Sequence, residues 1–103
     1  SQGYVSGRPT LGIWGESLSS FYQYYYMMPA GLYITELEEG CEAAAKGIEP
    51  GDILTAVNDR EVTDMNSLKS ILLGYEVGDT VTVTIYRKGT LHYLPLTLYE
   101  STT

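Results

Sequence analysis

Apolar residues in this chain fall into short alternating runs, punctuated by glycine, proline and polar pairs. Leu32 and Ile34 alternate with Tyr33 and Thr35, which predicts a half-buried strand over Leu32–Leu37. The alternation slips at Glu36-Leu37, so a bulge or the strand's end is expected there. Ile53–Val57 reads as an apolar strand, and Asn58-Asp59 as a tight turn before Glu61-Val62. Val81, Val83 and Ile85 alternate with Thr80, Thr82, Thr84 and Tyr86. Lys88-Gly89 then turns the chain so that Leu94, Leu96 and Leu98 return facing the core. Pro95 lies in that return strand, so the N–H it lacks must point away from any partner. Helical signals interrupt the strands. Ser17 can cap a helix over Leu18–Met28, closed by Pro29 and Gly31. Glu42-Ala43-Ala44-Ala45-Lys46 forms a short helix ended by Gly47, and Pro50-Gly51 makes a turn. Asp64 can cap a helix over Met65–Leu73, ended by Gly74. Ahead of all this stands Leu11-Gly12-Ile13-Trp14, followed by Gly15. A glycine inside such a run marks a place where another backbone comes close. The expectation is an α+β domain of five or six short strands with two or three helices. Residues 1–9 form a Ser/Gly/Pro-rich linker, 10–100 the domain and 101–103 a tail.

The length of 103 residues suits one domain, and the 44% hydrophobic content suffices for a core without disulfides or metal. Thirteen acidic against six basic side chains give a net charge of −7. Phosphate backbones and anionic membrane surfaces would be repelled by that balance. No apolar run approaches the ~20 residues of a membrane span. The lone Cys41 can form no internal disulfide and reads as a small, partly buried side chain at a helix start. Ten tyrosines are unusual at this length, and five aromatics fall between Phe21 and Tyr26. They could form a contact surface. The plainer expectation is a short helix with tyrosines on its inner face.

Catalytic chemistry is absent. His92 is the single histidine and sits in a strand of the closing hairpin. Gly15-Glu16-Ser17-Leu18-Ser19 lacks the second glycine of a nucleophile elbow. Glu36, Glu38, Glu39 and Glu42 have no metal-loop spacing and read as a solvated face, while Asp52 is placed to bond backbone after the Pro-Gly turn. No catalytic residue, metal ligand or cofactor is expected.

The segment Ala44-Ala45-Lys46-Gly47-Ile48-Glu49-Pro50-Gly51-Asp52-Ile53-Leu54 resembles the helix-turn-strand signature of bacterial PDZ domains. Val57-Asn58-Asp59-Arg60-Glu61-Val62 fits the following hairpin, and the likeness covers nearly all of residues 8–100. Thr10-Leu11-Gly12-Ile13 resembles the carboxylate-binding loop of PDZ domains in HtrA-type serine proteases, in detail those of Gram-positive bacteria tethered to the membrane. The tyrosine-rich segment departs from the usual pattern.

The resemblance implies a circularly permuted, partly open β-barrel or sandwich. It implies a module of protein quality control that binds C-terminal peptides of unfolded or regulatory proteins and regulates or feeds an upstream serine endopeptidase domain. An extracytoplasmic location of the parent protein is implied too, with any homo-oligomer assembled through the protease. The carboxylate would be held by backbone amides beside Leu11 and Gly12 that lack internal partners, Gly12 removing the side chain that would block its approach. The peptide would extend along Ile13-Trp14 as an added strand, facing Met65, Lys69 and Leu72. Leu11, Ile13 and Leu72 would form the pocket for the last side chain, and Arg8 would add charge near the carboxylate. Leu68 and Ile71 read as plain core. Two alternatives stand beside this reading: an assembly module contacting a neighbouring subunit through the tyrosine segment, and a PDZ domain of another protease class.

Overall fold

The computed structural model describes residues 8–101. The chain runs β1 (Pro9–Thr10), β2 (Ile13–Ser17), α1 (Ser20–Tyr25), β3 (Leu32–Leu37), α2 (Glu42–Ala45), β4 (Ile53–Val57), β5 (Arg60–Glu61), α3 (Met65–Leu72), β6 (Thr80–Arg87), β7 (Thr90–Thr97) and β8 (Tyr99–Glu100). The main sheet has the order β2-β3-β4-β6-β7, with β5 paired to β4, and it stays open with β2 and β7 at its edges. All of its pairings are antiparallel. β1 and β8 form a separate two-stranded ribbon. That ribbon extends the ordered domain past residues 10–100. Pro9 sits opposite Glu100, and Ser101 donates its N–H to the Arg8 carbonyl at 2.8 Å. Residues 1–7 of the expected linker and 102–103 of the tail lie outside the described residues.

One core holds the layers together. Leu32, Ile34, Leu54, Val57, Val81, Val83, Ile85, Leu96 and Leu98 from the strands meet Leu68, Ile71 and Leu72 of α3. An isolated helix of eight residues is unstable in water, so α3 depends on this packing and on its cap. The Asp64 carboxylate accepts the Ser67 N–H at 2.7 Å, and the Ser67 hydroxyl accepts the Asp64 N–H at 3.1 Å, a reciprocal cap. Cys41 is buried at the start of α2, where its Sγ accepts the Ala44 N–H.

β3 ends at Leu37, where the alternation slips, and it also carries a bulge just before that point. Trp14 opposes Glu36 and Gly15 opposes Ile34, which leaves Thr35 as the extra residue. The close backbone approach expected of Gly12 is found instead at Gly15, where a Cβ would come within 2.9 Å of the Tyr33 carbonyl carbon; the neighbours of Gly12 are side chains. The tyrosine segment differs more. α1 begins after Ser19 rather than Ser17, which ends β2, and spans six residues. None of them is buried. The inner-face reading of the tyrosines is therefore corrected: Tyr22 borders a recess beside the sheet, but no residue of this short helix packs into the core. Tyr24 is 88% exposed, and Phe21 stacks on Tyr25 and Tyr22 on Tyr26.

Asp52 does more than bond backbone. It is 3% exposed and accepts the Glu49 N–H at 2.9 Å. It also takes both arms of the Arg87 guanidinium, Nε at 2.7 Å and Nη2 at 2.6 Å. Burial works against its charge, but the Arg87 fork and the Glu49 amide outweigh it and hold the carboxyl below the usual range. Arg87 also donates to the Gly47 carbonyl at 2.6 Å, so the turn between α2 and β4 is clamped to the end of β6.

Candidate functional site

The edge strand β2 is flanked by α3, and between them runs a groove of about 150 Å³. The face of α3 that closes it follows from helical spacing. Met65, Leu68, Lys69 and Leu72 stand at i, i+3, i+4 and i+7 and so project on one side. Leu68 and Leu72 are buried at its base, Met65 is half-buried and Lys69 is exposed. From β2 come Ile13, buried, and Trp14, 37% exposed. Arg8 and Thr10 line the same groove, with Pro9, Leu73 and Ser101.

The backbone at the head of β2 fixes what this groove can offer. The Gly12 carbonyl accepts the Glu38 N–H at 2.8 Å, which points that carbonyl at β3. Peptide groups are planar and no cis bond is present, so the Ile13 N–H on the same peptide points the opposite way, off the sheet edge. Alternation along the extended strand sends the Ile13 carbonyl the same way. The groove thus has an unused ladder edge along one wall and apolar side chains along the other.

Seven of the residues singled out from sequence line this groove: Arg8, Thr10, Ile13, Trp14, Met65, Lys69 and Leu72. Leu11 and Gly12 do not. Leu11 is 3% exposed and belongs to the core, because the chain turns inward between β1 and β2. Gly12 has φ +76°, and a Cβ there would collide with the Tyr99 hydroxyl and crowd Cys41 and Glu38 at 3.3 Å. The positive φ and what lies beneath the loop each require glycine here. The Gly12 amide is also not free, since it donates to the Thr10 hydroxyl at 3.1 Å. Leu68, read as core, is both core and groove base; its i,i+4 relation to Leu72 was the available signal. Pro9 and Ser101 arrive through pairing of the two chain ends and carry no local signal.

Beneath the loop, the half-buried Tyr99 hydroxyl donates to the Glu38 carboxylate. Burial first, and then that bond to a carboxylate, push the Tyr99 hydroxyl well above the ordinary phenol range. This contact joins β8 to the turn after β3 and supports the Gly12 turn from below.

A family model described as PDZ domain matches residues 9–98. Among curated proteins, the chain is 46% identical over 59 residues to the serine protease Do-like HtrA of Lactobacillus helveticus, covering 57% of this chain and 14% of that protein. It is 36% identical over 72 residues to the protein of the same description from Lactococcus lactis subsp. lactis, covering 70% of this chain and 18% of that one. The chain therefore spans less than a fifth of these relatives. Among solved structures, the HtrA3 PDZ domain bound to a phage-derived ligand matches with a TM-score of 0.74 at 18% identity, over 90% of this chain and 86% of that one. The HtrA-type protease AlgW with decapeptide matches with a TM-score of 0.80 at 18% identity, over 94% of this chain and 30% of that one. At these identities the likeness is one of fold.

Proposed function

The chain belongs to the PDZ domain family, and on that premise we propose that its β2–α3 groove captures the C-terminal end of another polypeptide by adding it to β2 as a strand. The observation that carries this reading is the outward-pointing backbone edge of Ile13 beside an apolar wall. An extended chain satisfies that edge with its own N–H and C=O groups. Leu68, Leu72 and Ile13 surround a space suited to an apolar last side chain. Arg8 and Lys69 are the charged side chains that line the groove, and both complement a carboxylate. The Thr10 hydroxyl acts as a placeholder on the Gly12 amide, which an arriving carboxylate takes over.

Within the whole protein, the domain serves an HtrA-type serine endopeptidase, supplying it with substrate ends or adjusting its activity. This extension is supported by the relatives, whose described activity is that of Do-like serine proteases. Sequence determination upstream of Ser1 tests it: a trypsin-like catalytic serine is expected there, and its absence overturns the assignment.

The groove is tested with a pair of hexapeptides ending in valine, one with a free carboxylate and one amidated. Trp14 is the one tryptophan of the chain and lines the groove, so its fluorescence reports occupancy. Amidation is expected to weaken binding by at least about tenfold, which corresponds to ~1.4 kcal/mol. Equal affinity for the two peptides refutes the reading.

A further inference from the structure

Helix α1 carries Phe21, Tyr22, Tyr24 and Tyr25 with no packing reason inside the domain, since it buries none of its residues. Exposed aromatic clusters of this kind mark contact sites. Between α1 and the outer face of the β2–β3 hairpin lies a recess of about 570 Å³. Tyr22, Tyr26, Tyr33 and Met28 line it, and Glu16 is its one charged lining residue. Tyr22 and Tyr26 stack in parallel at 5.5 Å, an arrangement that holds both rings in place without help from the core.

The recess continues the groove. Trp14, in the groove, and Glu16, in the recess, are two apart on β2 and project from the same outer face. Glu16 stands directly opposite Tyr33 across the hairpin. A peptide whose end is held at the start of β2 must run antiparallel to that strand. Its residues, read backwards from the last, pass Ile13, Trp14, Gly15 and Glu16 in turn. The residue three before the last lies across from Glu16 with its side chain on the outer face, where cross-strand Cβ atoms are about 4.5–5.5 Å apart.

The geometry points to a cation-selective subsite: the recess formed by α1 and Glu16 receives an arginine side chain from the residue three before the end of the bound peptide. This inference rests on the groove reading above. A guanidinium is planar and stacks on tyrosine faces while its N–H fork meets a carboxylate. The charge balance favours the same occupant. Glu16 has no basic neighbour among the lining residues, and the chain carries a net charge of −7. An acidic residue at that peptide position would be repelled.

The test uses the 103-residue chain and three free-carboxylate hexapeptides that differ only in the residue three before a C-terminal valine: arginine, serine or glutamate. The arginine peptide is expected to bind about 5–10-fold tighter than the serine peptide, and the glutamate peptide weaker than both. Glu16→Gln and Tyr22→Ala/Tyr26→Ala should each reduce the arginine gain to under about twofold while leaving serine-peptide affinity unchanged. These three side chains are exposed, so the variants keep the core intact. If the serine peptide binds in its free form but arginine confers no gain, the subsite is wrong and the groove stands. A gain that survives both variants means diffuse attraction to an acidic chain and also overturns the subsite. If no peptide distinguishes free from amidated ends, the groove reading itself has failed.

Discussion

Replacing Asp52 with asparagine isolates the contribution of one buried charge to this fold. The side chain keeps its shape, and its oxygen can still accept the Glu49 N–H, now 2.9 Å away. That same oxygen keeps the Arg87 Nη2 bond at 2.6 Å, but the new amide nitrogen takes the place of the oxygen that accepts Nε at 2.7 Å, so a donor meets a donor and the charge that strengthens both bonds is gone. Hydrogen bonds to charged groups contribute ~1.5–3 kcal/mol each, and loss of a partner adds the cost of an unpaired buried group. Arg87 keeps 37% of its side chain exposed, so water recovers part of its loss. A net cost of about 2–3 kcal/mol at neutral pH is expected for Asp52→Asn. A domain of this size holds ~5–15 kcal/mol, so the variant still folds. With a urea slope of about 1–1.5 kcal/mol/M, its midpoint should fall by about 2 M.

The pH dependence checks the cause. The Asp52 carboxyl has a folded pKa held below its unfolded value, which is near 3.9. The stability it contributes is therefore present above about pH 4 and disappears as the pH falls through the folded value. Asparagine does not titrate, so the gap between the two proteins should close in acid. Glu42 is also held low, by the Thr97 amide and Lys46, but it titrates alike in both and cancels from the difference. Urea melts at pH 7, 4 and 3 decide the matter. A gap that stays constant with pH, or a midpoint at pH 7 within about 0.3 M of the parent, refutes the account. Asp52 does not line the groove, so peptide affinity should stay within about twofold.

Three further outcomes follow from other contacts. Tyr99 has a folded pKa raised above its unfolded value, so its contribution to stability is present below about pH 10 and is lost as the pH rises beyond it; absorbance at 295 nm should show one tyrosine lagging the others, and Tyr99→Phe should remove that lag. Gly15→Ala puts a methyl against the Tyr33 backbone, which no side-chain rotation can relieve, and should cost at least about 2 kcal/mol in denaturant melts. Lys69→Glu changes an exposed side chain on the groove wall; it should leave stability within about 0.5 kcal/mol yet weaken binding of free C-terminal peptides ~2–5-fold, with the loss shrinking as salt is added.

What could be read from sequence was whatever is local. β4 follows from a short apolar run and β6 from alternation over neighbouring residues, and the start of α3 from a cap three residues long. The groove face of α3 is half legible: Met65, Lys69 and Leu72 fall on it, and Leu68 reads as core, which it is, while helical spacing also sets it at the groove base. The features that escaped join distant positions. Asp52 and Arg87 are 35 residues apart and Glu38 and Tyr99 are 61 apart, and nothing near either partner announces the other. Gly12 shows the same limit. Its need for glycine is legible in the loop, but the neighbour that a side chain there would strike, Tyr99, stands at the far end of the domain. α1 is shorter than its sequence suggests, because tyrosine-rich polarity alone does not say where a helix ends when no core face constrains it.

The two margins of the main sheet are treated oppositely. On β7, Pro95 has no outward N–H to offer, Lys46 Nζ occupies its carbonyl at 2.5 Å, and Glu42 takes the outward Thr97 N–H at 2.8 Å. On β2, the margin is left unclaimed but lies beside a helix, with room for a single extended chain. The stretch of β7 around Pro95 and Thr97 is thus closed to further strand pairing, and β2 is the margin that stays open to an incoming chain.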